Sequence, residues 1–129
     1  MKKYLVIFLL TLATLGCAGG TTADPNLPRS ISPANALNMI QNDPSAILLD
    51  VRTASEYAEI RIYGALLFPL NEITLRALDV LPDKNATIIV YCRSGNRSAQ
   101  AVELLYGLGY TKLYDLGGIL DWPYDTVSG

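Results

Sequence analysis

From Ser32 onward, helix signals and strand signals alternate along the chain, and this alternation constrains the fold more than any other feature. Ser32-Pro33 supplies an N-cap followed by proline at the first helical position. Ala36, Leu37, Met39 and Ile40 form the apolar stripe of that helix, and Asp43-Pro44 stops it. Residues 46–49 are a short continuous apolar run, suited to a buried strand ending at Asp50. A short helix over residues 53–59 follows, then a strand over 66–68 closed by Pro69. Asn71 is expected to cap a helix running through Leu78, ended by Leu81-Pro82-Asp83. Thr87-Ile88-Ile89-Val90-Tyr91 is the clearest strand, with four of its five residues β-branched and the last aromatic. The clearest helix runs from Ser98 to Leu108, with Ala101, Val102, Leu104, Leu105 and Leu108 facing inward and Gly109 as stop. A last strand covers residues 112–116, before Gly117-Gly118. Such alternation predicts an α/β fold: one domain with a mainly parallel central sheet and helices on both faces.

The N-terminus obeys different rules. Met1-Lys2-Lys3 is a positive start, and residues 4–15 are an apolar run of 12 residues without charge. That run is too short to span about 30 Å of hydrocarbon as a helix but suits the core of an export signal. Thr14-Leu15-Gly16-Cys17 resembles the lipobox of bacterial lipoproteins, in which the cysteine is acylated and becomes the N-terminus after cleavage. Thr14 stands where that motif usually has leucine. Thr21-Thr22-Ala23 is a competing site for ordinary signal peptidase. The expected organisation is therefore a lipoprotein-type signal peptide over 1–16, a flexible tether over 17–28 and a folded domain over 29–129. The tether expectation rests on Gly19-Gly20, Asp24-Pro25 and Pro28, with almost nothing to bury. Localisation follows: an exported envelope protein held on a membrane through a lipid at Cys17, or a soluble exported one if the other site is cut.

Composition removes whole classes of chemistry. The chain of 129 residues has no histidine, which excludes Cys-His and Ser-His catalysis, a histidine proton switch and histidine metal sites. Two cysteines make neither a closed zinc site nor a disulfide framework. A net charge of −2 offers no basic surface for a phosphate backbone, so no nucleic-acid partner is expected.

Between the best strand and the best helix lies Cys92-Arg93-Ser94-Gly95-Asn96-Arg97-Ser98. Ligands of open parallel sheets bind beyond the carboxyl ends of strands, where a helix N-terminus presents unpaired N–H groups and partial positive charge. Gly95 permits a positive φ, so successive N–H groups can turn inward as an anion nest. A thiol there, flanked by two arginines, suits attack on an anionic or sulfur electrophile. The inert buried cysteine is the bland alternative, and the polar, cationic residues that follow Cys92 argue against it.

This segment resembles the active-site loop of the rhodanese family, cysteine-arginine-x-glycine-x-arginine at the start of a helix. Asp50-Val51-Arg52 with Glu56-Tyr57, Ile62-Tyr63-Gly64-Ala65 with Pro69, and Leu116-Gly117-Gly118-Ile119 with Trp122 match further family marks in the correct order. Ile60-Arg61 replaces the glycine-histidine often found before that isoleucine. The resemblance implies a single-domain sulfurtransferase without a cofactor. Cys92 would take a sulfane sulfur from a small donor such as thiosulfate and pass it, as a persulfide, to cyanide or a thiol. Arg93, Ser94, Gly95, Asn96 and Arg97 would form the substrate-binding loop. Most outer marks have a structural reading: Arg52 and Glu56, four apart, are expected to pair with each other or with the sheet edge. Asp50 is expected to cap the strand end or hold Arg52, and Trp122 to pack in the core with its N–H satisfied.

A magnitude indicates what such a loop contributes. Acidifying a thiol from about 8.5 to about 6.5 raises its thiolate fraction at pH 7 from about 3% to about 75%. Intrinsic nucleophilicity falls about eightfold over the same change, leaving a net gain of only about threefold. Positioning of the donor and stabilisation of leaving sulfite must carry more of the rate. Three rivals are set against this reading. Phosphatases of the cell-division-cycle-25 type share the fold, but their loop is one residue longer than Cys92 to Arg97. Non-catalytic rhodanese-like modules, binding or regulatory, commonly lack the cysteine. A thiol-redox protein would need a Cys-x-x-Cys or another resolving partner.

Overall fold

The computed structural model describes residues 22–129. The expected signal peptide and Cys17 lie outside them. Five strands, β1 (Arg29–Ser30), β2 (Ile47–Asp50), β4 (Leu66–Leu67), β5 (Thr87–Cys92) and β6 (Lys112–Gly118), form one sheet in the order β1-β6-β5-β2-β4. Every pairing in it is parallel. The sheet is buried on both faces, which explains why β5 shows no polar alternation. Ile88, Val90 and Cys92 face one core cluster, with Ile73 and Ala77 of α3 (Ile73–Val80) and Ala101, Val102 and Leu105 of α4 (Asn96–Gly107). Ile89 and Tyr91 face the other, with Ala36 of α1 (Pro33–Asn42), and Tyr57 of α2 (Ala54–Glu59) packs against its edge. Each aliphatic side chain wholly buried in these layers contributes about 1.5–3 kcal/mol.

Local signals account for most boundaries. The Ser32 hydroxyl accepts the Asn35 N–H at 3.2 Å, with Pro33 opening α1. Thr53 and Glu56 close a reciprocal capping box at the start of α2. At the N-terminal side of the domain, Leu27 N–H donates to the Asp24 carbonyl, and the Tyr106 hydroxyl of α4 donates to the Asp24 carboxylate.

The structure corrects several sequence expectations. Asn71 does not cap α3: Pro69 accepts the Glu72 N–H, a 3-10 turn forms over Leu70–Glu72, and the chain enters α3 already helical. Within α4, the buried stripe is Ser98, Ala101, Val102 and Leu105, whereas Leu104 falls at its edge and is 40% exposed. The helix also begins at Asn96, ahead of Ser98. The strand expected over 66–68 keeps only Leu66–Leu67. Unforeseen elements are β1 and an antiparallel ribbon of β3 (Arg61–Ile62) with β7 (Thr126–Val127). Trp122 is only half-buried, at the margin of the core beside α1, and its indole N–H donates to the Asp125 carbonyl at 3.3 Å.

The layering brings Asp50, Leu67, Cys92 and Gly118, the last residues of four adjacent strands, to one rim of the sheet.

Candidate active site

β5 runs straight into Cys92, which is 1% exposed and ends the strand. The next residues turn back: at Gly95 φ is +108°, and its N–H donates to Cys92 Sγ at 3.0 Å. This is the inward-turned N–H that a glycine permits and other residues resist. Gly95 is also the N-cap of α4, so the sulfur sits against the positive end of a twelve-residue helix. The Gly95 carbonyl accepts from Ser98 Oγ at 3.0 Å and from the Ala99 N–H at 3.3 Å, which ties the loop to the helix.

β6 supports the loop from beside it. A register shift between Val90 and Tyr91 places Cys92 opposite Gly118. A Cβ on Gly118 would lie 2.3 Å from the Arg93 carbonyl oxygen and 2.7 Å from Ser94 Cα. Only hydrogen fits there, which gives the glycine pair of the sequence a physical reason. The same Arg93 carbonyl accepts the Leu120 N–H at 3.3 Å.

The two arginines occupy different environments. Arg93 is exposed and makes no ion pair or side-chain hydrogen bond among the described residues. Arg97 is clamped by Glu56 through two bonds, at 2.6 and 2.9 Å. Glu56 therefore does not pair with Arg52, as the four-residue spacing suggested. Arg52 instead reaches Asp50 at 2.7 Å, with both side chains buried, and donates to the Ile60 carbonyl at 2.6 Å. Removing one partner of such a buried pair costs about 3–5 kcal/mol. Asp50 also accepts from the Tyr91 hydroxyl at 2.7 Å, and that hydroxyl accepts the Ile62 N–H at 3.2 Å. Burial, with the Asp50 carboxylate, pushes the Tyr91 hydroxyl well above its usual range, so it remains a donor. Tyr91 was not among the expected site residues. Its signal was a hydroxyl at the end of an otherwise buried strand, which needs a partner inside.

The Arg97 hydrogen bonds hold the Glu56 carboxyl at about 2, against an ordinary 4.5, with the Thr53 N–H and hydroxyl helping and burial opposing. A depressed carboxyl stabilises the fold above its ordinary pKa and loses that stabilisation as pH falls through the folded value. We expect urea unfolding of the domain to lose stability between pH 4.5 and 2, and Glu56→Gln to be weaker at pH 7 with a shallower acid slope. Parallel slopes in the two proteins would remove this pair from the stability account.

Of the residues the sequence nominates, Cys92 and Gly95 are bonded to each other and Arg97 is held by Glu56 of α2, while Arg93, Ser94 and Asn96 are exposed around them. The loop thus sets a buried sulfur that accepts a backbone N–H at the start of a helix, beside the clamped Arg97.

A model of the rhodanese-like domain matches residues 32–124, most of the chain, and the chain belongs to that family. Over 81 residues it is 40% identical to the thiosulfate sulfurtransferase PspE of Escherichia coli, covering 63% of this chain and 78% of that protein. A sulfurtransferase of Allochromatium vinosum is 39% identical over 77 residues, 59% of this chain and 70% of the relative. Among solved structures, a rhodanese with anions from E. coli matches at a TM-score of 0.61 and 38% identity, covering 65% of this chain and 99% of that one. The human single-domain sulfurtransferase TSTD1 matches at 0.64 and 26% identity, covering 72% and 93%.

Proposed function

We propose that this protein is a thiosulfate sulfurtransferase in which Cys92 carries the sulfur. The observation that bears most of this reading is the Gly95 N–H, 3.0 Å from Cys92 Sγ at the start of α4. The names of its E. coli and A. vinosum relatives support it. In the first step the Cys92 thiolate attacks the outer sulfur of thiosulfate. A new S–S bond forms, the S–S bond of thiosulfate breaks, and sulfite leaves with that electron pair. The Gly95 N–H, which reaches Sγ, and the positive end of α4 then stabilise the terminal persulfide charge. In the second step cyanide, or a thiolate, attacks the terminal sulfur, and the Cys92 thiolate departs. Thiocyanate or a small persulfide is released, and no external oxidant or reductant is consumed. The transfer is covalent and ping-pong.

Arg93, exposed and without an ion pair among the described residues, is the cation expected to meet the sulfonate end of thiosulfate. Arg93→Ala should raise the thiosulfate KM about tenfold, equivalent to about 1.4 kcal/mol of binding, and the difference should shrink with added salt. Arg97→Ala should lower kcat as well, because it releases the Glu56 clamp and loosens the N–H groups of the loop. Thiocyanate formation from thiosulfate and from an uncharged persulfide donor measures both. Equal losses of Arg93→Ala with the two donors would leave Arg93 a structural residue.

In the same reading, residues 1–16 are removed on export and Cys17 is acylated, so that residues 17–28 carry the domain on a membrane. Three acyl chains exceed the two signals that stable anchoring needs. Membrane fractionation should find the wild type with the membranes and Cys17→Ala in the soluble fraction. A soluble wild type with an unacylated N-terminus at Asp24 would overturn the lipid anchor and leave the sulfur chemistry intact.

A further inference from the structure

A groove of about 890 Å³ opens on the side of the sheet that carries α1, and none of the loop residues 92–97 lines it. Leu37 and Ile40 of α1 line it. Tyr63, Trp122 and Tyr124 add an aromatic wall, from the turn after β3 and from the segment leading to β7. The Trp122 and Tyr124 rings meet edge to face, with centroids 5.0 Å apart and planes at 79°, and so hold each other in place. Because the indole N–H is already bonded to the Asp125 carbonyl, Trp122 offers the groove its ring and not a free donor. Tyr63 is 74% exposed, beside Gly64, where φ of +83° turns the chain.

The groove lining carries little charge. Asp125 is the single charged residue in its lining among the described residues. Arg61, next to the lining residue Ile62, keeps its charge but is held by its own partners: its guanidinium donates to the Tyr57 and Gly129 carbonyls and lies 4.6 Å from the Tyr57 ring centroid. Aromatic faces attract cations through their negative quadrupole, and a carboxylate in the same lining adds to that attraction. The volume falls within the range of small-molecule sites, about 300–1,000 Å³.

We propose that this groove binds a small organic cation with an apolar body, of the alkylammonium or quaternary ammonium class. The apolar part lies along Leu37 and Ile40, the cationic head faces the aromatic wall, and Asp125 balances its charge. This site is separate from the sulfur-transfer reading and does not depend on it.

The chain has one tryptophan, so its fluorescence reports the groove directly. Benzyltrimethylammonium, neutral benzyl alcohol and benzenesulfonate, titrated at constant ionic strength, separate charge from apolar contact. The cation should change Trp122 emission saturably and bind at least about tenfold more tightly than either other probe. Asp125→Asn should weaken the cation about fivefold and leave benzyl alcohol unchanged, whereas Tyr124→Leu should weaken both. Circular dichroism and urea unfolding, read on the same variants, establish that each is folded. No saturable change at millimolar cation, equal affinity for the cation and the sulfonate, or full affinity in folded Asp125→Asn would each overturn the proposal.

Discussion

Cys92→Ser should abolish transfer of sulfur from thiosulfate to cyanide, by about 10³-fold or more, while the domain stays folded. The loss is chemical. A serine hydroxyl is scarcely ionised at neutral pH and forms no stable counterpart of a persulfide, so both halves of a ping-pong cycle fail together. The fold should tolerate the change because serine is nearly isosteric and its oxygen can accept the Gly95 N–H that now reaches Sγ. Thiocyanate release measures the activity, and urea unfolding measures the stability. A variant retaining a tenth of wild-type turnover would show that the sulfur is carried elsewhere.

Gly118→Ala should produce the second largest effect, although residue 118 bears no functional group. Its Cβ would meet the Arg93 carbonyl oxygen at 2.3 Å, Ser94 Cα at 2.7 Å and the Arg93 carbonyl carbon at 2.8 Å. All three are backbone atoms, so no side chain can swing aside. The loop must move away from β6, and its N–H groups move with it. A displacement near 1 Å costs about 10²-fold in rate where geometry carries the catalysis. The overlap also destabilises the fold by about 1–3 kcal/mol. Gly117→Ala is the control: φ there is +85°, but nothing lies within 4 Å of an added Cβ. Its cost is conformational, about 1–2 kcal/mol, without displacement of the loop. Similar kinetics for the two variants would show that the contact with Arg93 does not set the loop geometry.

These two positions differ in how far the sequence revealed them. The place of Cys92 was legible because its surroundings are local: the strongest strand, a glycine with positive φ and the strongest helix are contiguous, and short-range rules suffice to place a thiol at their junction. Gly118 was visible as part of a glycine pair. Its physical reason required knowing that β6 lies beside β5, with Cys92 opposite Gly118 after a register shift. The buried parallel strands, the capped start of α1 and the short α2 were likewise readable from nearby residues. What escaped was set by long-range geometry. The β3–β7 ribbon joins residues more than sixty positions apart through two-residue strands, too short for any periodicity to register. The exchange of partners among Asp50, Arg52, Glu56 and Arg97 has the same origin. Helical spacing favours an Arg52–Glu56 pair, but Arg52 precedes α2 and turns inward toward Asp50, which frees Glu56 to clamp Arg97 from 41 residues away. Asn71 failed as a cap because the Pro69 carbonyl had already started a turn.

The measurement closest to the central claim is the intact mass of the purified protein before and after exposure to thiosulfate, followed by cyanide. Sulfur transfer through Cys92 predicts one added sulfur atom with thiosulfate, its complete removal by cyanide, and no addition to Cys92→Ser. An unchanged mass in the wild type, or the same added sulfur in Cys92→Ser, would contradict it.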